Sequence, residues 1–135
     1  MEMLKSRRAR IAAFAVLATF LLGCAAAIES HDRHRQQFLK QVDDTSNDIA
    51  EVIDKLRSDQ VVFDLADDRA VVSIQKLRDA AYTDRQRKGA DELGVELGTL
   101  RACRGAIGLP GGQFSECLDS TDKINKDAFN NLGVH

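Results

Sequence analysis

The chain has 135 residues, 30% charged and 44% apolar, at a formal net charge of −2. That balance suits one globular domain and excludes a disordered polyelectrolyte. With aromatics at 5%, no Trp and a single Pro, it favours helices packed through Leu, Ile, Val and Ala over an all-β sandwich.

The N-terminus has three parts in order. Lys5, Arg7, Arg8 and Arg10 form a basic head, Ile11 to Leu22 an apolar core, and Gly23-Cys24-Ala25-Ala26-Ala27 a small-residue end. This is the layout of a secretory signal, to be left out of fold reasoning. Leu21-Leu22-Gly23-Cys24 resembles the lipobox of bacterial prolipoproteins. The resemblance covers residues 1–24 and says nothing about the rest. It implies a signal peptide over residues 1–23, a cut before Cys24, a diacylglyceryl group on the Cys24 thiol and acylation (palmitate or a similar chain) of the new amino group. The mature domain is then residues 24–135. Two or more acyl chains anchor stably, at roughly 0.8 kcal/mol per buried methylene. The family rule for the residue after the cysteine, Ala25 rather than Asp, points to the outer membrane of a Gram-negative cell, facing the periplasm. The alternative is an uncleaved span over Ile11 to Ile28, about 27 Å long as helix against a hydrocarbon core of about 30 Å. In both readings the positive head stays inside, and residues 29–135 lie outside the cytoplasm.

That compartment decides the cysteines. Cys24 takes the lipid, so Cys103 and Cys117 are expected to pair in an oxidising environment. Their spacing fits neither a common zinc pattern nor Cys-x-x-Cys. Removing residues 1–23 takes four of nineteen basic residues and one of twenty-one acidic ones, which leaves a net charge of −5. With no dense basic tract, nucleic acid is not an expected partner.

Four helical segments follow. Ser30 to Ser58 carries Phe38, Val42, Thr45, Ile49, Val52 and Leu56 at alternating steps of four and three, with Leu39, Ser46 and Ile53 widening the stripe. Such a stripe fits a helix docked on its own core better than a coiled coil of only about three heptads. Asp59 to Thr83 keeps helical spacing through Phe63, Ala66, Ala70, Ile74, Leu77 and Ala81. Its β-branched runs Val61-Val62 and Val71-Val72 also permit a β-hairpin over residues 61–74. Helix is chosen, because a lone hairpin with no sheet to join is marginal.

Asp84 to Ile107 reads as a third helix, with Asp84 as its N-cap and Leu93, Leu97, Leu100 and Ile107 as its apolar face. Beside them Ala90, Gly94, Gly98, Ala102 and Ala106 recur every four residues. Each helical Gly costs roughly 1 kcal/mol against Ala, so the stripe Ala90, Gly94, Gly98, Ala102 is expected to lie against another helix backbone, within the domain or in a partner. Gly108-Leu109-Pro110-Gly111-Gly112 is a strong turn. Gln113 to Leu132 is helical again, with Phe114, Cys117, Leu118, Ile124, Ala128 and Leu132 on one face and Gly133 as its stop. Cys103 and Cys117 stand equidistant from Pro110, so an antiparallel hairpin would bring them together. The expected fold is therefore all-α, three or four helices, with a C-terminal hairpin stapled by a disulfide.

Chemistry has little to stand on. His31 and His34 share a helix side near Glu29 and Asp32, but they sit in a polar segment and read as a solvated face rather than a metal site. No Ser or Cys has a recognisable base. Neighbouring carboxylates such as Asp43-Asp44 and Asp67-Asp68 do not face each other on a helix. The expectation is a non-enzyme without metal or cofactor: a lipid-anchored envelope protein that acts as an accessory, assembly or inhibitory interaction module on another envelope protein. The alternative is a periplasmic carrier of a small ligand or metal.

Overall fold

A computed structural model describes residues 30–134. The expected signal segment and lipobox, with Cys24, lie outside the described residues, as do Glu29 and His135. The chain divides into two compact units at residues 36 and 37. Of the first, the described residues 30–36 are helical and carry His31 and His34, both exposed. The second holds the core. Helices α1 (residues 30–54), α2 (Gln60–Ala80), α3 (Asp84–Gly105) and α4 (Gln113–Leu132) are found, with no strand among the described residues.

In α1 and the turn after it, Phe38, Val42, Thr45, Ile49, Val52 and Leu56 are all buried. Leu39 and Ile53 are not; both are exposed, so the buried stripe is narrower than expected. Thr45 fits an apolar row because its one hydroxyl proton has two carbonyl acceptors in reach, Gln41 O at 2.7 Å and Ser73 O at 3.2 Å. A buried hydroxyl with both partners in reach avoids the desolvation cost of an unmet one.

The segment open to a hairpin reading is helical from Gln60 to Ala80. Asp59 caps it, its carboxylate accepting from Val62 N at 3.0 Å. Phe63, Ala66, Ala70, Ile74, Leu77 and Ala81 face the core. Val61, Val62, Val71 and Val72 fall off that face and stay exposed. The three-and-four spacing, not β propensity, decided the element.

The cap of α3 is Thr83, not Asp84. Thr83 Oγ1 accepts from Gln86 N, and the Gln86 side chain accepts from Thr83 N, a reciprocal capping box. Asp84 instead lies in the first turn, where it pairs with Arg87 and suits the positive end of the helix. The helix ends at Gly105, two residues short of Ile107. In the loop Gly108, Gly111 and Gly112 adopt positive φ near 80°, a region that costs a side chain and that Gly enters freely. The loop turns the chain back, and α4 runs antiparallel along α3. Cys103 and Cys117 form the expected disulfide, with their Cα atoms 5.5 Å apart.

Polar ties fix the other crossings. Arg101 on α3 pairs with Asp67 on α2. Arg104 Nη1 donates to Leu56 O and Ser58 O, each at 2.9 Å, and the guanidinium lies 4.6 Å from the Phe63 ring centre. It so holds the α1–α2 turn with both its charge and its face. No helix among the described residues is long and apolar enough to cross a membrane.

Candidate functional site

Three places in the second unit concentrate unusual residues. The first is the outward side of α2. At 3.6 residues per turn, Val61, Leu65 and Val72 share one side, opposite the buried Ala66, Ala70 and Leu77. They are 70%, 55% and 54% exposed. With Val62 and Val71, this one helix supplies five of the ten large apolar residues exposed among the described residues. Scattered single exposures are ordinary, but several on one helix are informative. Leu65 and Val72 also wall an open cleft of about 390 Å³, together with Asp48, Asp68, Arg69, Ser73 and Lys76. A neighbouring cleft of about 310 Å³ shares Asp48, Ser73 and Lys76 and adds Asp44 and Asn47.

Several polar groups in these clefts tie α1 to α2. Ser73 Oγ donates to Asp48, and its carbonyl accepts from Gln41 and Thr45. Arg69 donates to both Glu51 oxygens at 3.1 Å. A nucleophile needs an adjacent base, itself oriented by a third group, and Ser73 has only the carboxylate. A third cleft, lined by Leu56, Arg57, Ser58, Arg104 and Ile107, is open too, and its Arg104 is spent on the turn carbonyls. Among the described residues no three His, Cys, Asp or Glu side chains converge as a metal site.

The second place is the small-residue stripe of α3. Ala90 is buried, whereas Gly94, Gly98 and Ala102 are exposed on a continuous helix. A Cβ added at Gly94 or Gly98 would meet no atom within 4 Å. The expected close packing of this stripe inside the domain is therefore corrected. The close approach occurs at Gly89 instead, where a Cβ would stand 2.8 Å from both Ala128 O and Leu132 Cγ. Gly89 belongs to the row that continues through Leu93, Glu96 and Leu100, and that row faces α4.

The third place lay unseen in the sequence. Glu96, a charged residue between Gly94 and Gly98, is 1% exposed. Asn125 Nδ2 donates to both its oxygens, at 3.1 and 3.0 Å. Burial holds its carboxyl above the usual 4.5; the Asn125 hydrogen bond pulls it back down, and the charge of Asp122 pushes it further up. One turn away Asn131 donates to Glu92 at 2.7 Å. The signal was positional: Glu96 stands three after Leu93 and four before Leu100, in the apolar row.

Comparison with protein-family models, with curated proteins and with solved structures finds no match.

Proposed function

We propose that residues 24–135 form a lipid-anchored envelope module that binds another envelope protein through the outward side of α2. The observation that carries the reading is the set Val61, Leu65 and Val72, held outward on a helix whose opposite side is fully used by the core. The lipobox-like Leu21-Leu22-Gly23-Cys24 and the Cys103–Cys117 bridge both suit the envelope. Around the clefts beside Leu65 the carboxylates Asp44, Asp48 and Asp68 outnumber the cations Arg69 and Lys76. An apolar partner surface with a cationic rim is the complement. The clefts beside it are open, whereas a carrier would enclose its ligand, so the interaction reading stands ahead of the carrier.

Photo-crosslinking in the native envelope tests this. A crosslinker at Leu65 or Val72 should trap one defined protein, and the same group at exposed Lys123 on α4 should not. Equal capture from all three positions, or none from any, removes α2 as the docking side.

A further inference from the structure

Glu96 is a buried carboxylate on which no cation among the described residues sits. Its hydrogen-bond partner is the neutral amide of Asn125. The charged group that acts on it from α4 is Asp122, of the same sign, whose own oxygen pairs with exposed Lys126. On its own helix, Glu92 adds a second carboxylate one turn away and takes the Asn131 amide. Arginines on the same helix are engaged elsewhere. Arg101 pairs with Asp67, Arg104 donates to the Leu56 and Ser58 carbonyls, and Arg85 reaches Asn130 O and the Asn131 side chain. From α1 and α2 the core receives Thr45, Ser73 and Asp67 as its buried polar groups, and of these only Asp67, already paired, carries charge. An ionised carboxylate placed so is costly, because the lost hydration is replaced by one amide and opposed by like charge. A neutral carboxyl in the same place carries no charge to desolvate.

The location gives that cost a direction. Glu96 sits midway along α3, between the disulfide at one end of the hairpin and the Gly89 approach at the other. The half of α4 beyond Asn125 holds on through Ala128 and Leu132, both buried, and through the Asn131 amide. The other half is bound covalently by Cys117. Hydrating Glu96 therefore requires lifting the C-terminal half of α4, and the bridge limits that motion to a hinge.

We propose that Glu96 makes the α3–α4 seam a pH-dependent clasp. With Glu96 protonated, α4 stays closed on α3. With Glu96 ionised, an open form gains population, in which the arm from about Asp122 to Leu132 swings from α3 on the Cys103–Cys117 hinge. The sign follows from which form is tolerated inside. Because burial raises the carboxyl in the folded chain, closure strengthens as pH falls through that raised value and is complete below the unfolded value. A domain outside the cytoplasm, as proposed above, meets such pH changes directly. This clasp is independent of what α2 binds.

Hydrogen exchange of the full chain, bridge intact, in mild detergent tests it. Amides of residues 122–132, corrected for intrinsic exchange, should be protected several-fold better at about pH 5 than at about pH 8, the range that brackets a raised carboxyl. In Glu96→Gln the protection should be the same at both. Equal protection in the wild-type chain overturns the clasp, and so does a pH difference that survives Glu96→Gln. Should that variant fail to fold, carboxyl-carbon NMR titration of Glu96 in the wild-type chain decides. A midpoint above the ordinary glutamate value that coincides with the change in α4 protection supports the clasp; an ordinary or lower midpoint overturns it.

Discussion

Arg101 on α3 grips Asp67 on α2: its Nε lies 2.9 and 3.0 Å from the two carboxylate oxygens, and its Nη2 lies 2.9 Å from Oδ2. The carboxylate side is nearly buried and the guanidinium is half exposed. The pair therefore differs from a surface bridge worth almost nothing. Arg101→Met removes the partner and leaves a nearly buried charge, which should cost about 1–3 kcal/mol in urea unfolding. Asp67→Asn combined with Arg101→Met should recover part of that. Additive losses in the double variant would show that the two residues do not act together.

Glycine substitutions on α3 should divide in sign. Gly89→Ala places a methyl against the Ala128 carbonyl, which cannot yield as a side chain can, and should cost about 1–3 kcal/mol. Gly94→Ala and Gly98→Ala meet open space and should each stabilise by about 0.5–1 kcal/mol. Thermal melts of the three variants check this. Destabilisation at Gly94 or Gly98 would mean that their surface is covered.

Replacing Cys103 and Cys117 by Ser should lower the unfolding midpoint and leave helical circular dichroism unchanged. The closed loop spans a sequence separation of 14, worth about 3 kcal/mol in the chain-entropy model. The bridge lies at the loop end of a hairpin whose packing continues to Ala128 and Leu132, so the helices form without it. A loss of helix in the double variant would contradict that picture.

These outcomes also mark what the sequence could show. Apolar spacing placed all four helices, and the bounds of α4, Gln113–Leu132, were read directly because glycine-rich turn and Gly133 enclose it. The disulfide followed from the expected compartment and the symmetry about Pro110. Which flank of a helix meets a neighbour was harder. A four-residue repeat of small residues defines a ridge on α3, but only the position of α4 makes Gly89 the crowded one and leaves Gly94 open. Leu39 and Ile53 border the α1 stripe and fall outside it for the same reason. The burial of Glu96 was not legible because charge usually means solvent; its partner Asn125 lies 29 residues on, and no local pattern joins them. The β-branched pairs Val61-Val62 and Val71-Val72 permit a hairpin by propensity, and only the helical spacing around them favours the helix that is found.

The proposed attachment through Cys24 underlies the expected compartment and the kind of partner proposed, and its most direct test is the intact mass of the protein purified from the membranes of its own cells. A chain beginning at Cys24, heavier than its sequence by a diacylglyceryl group and a further acyl chain, and reverting to an unprocessed, lipid-free chain in Cys24→Ala, is the expected result. A native chain that still begins at Met1 and carries no lipid would contradict it.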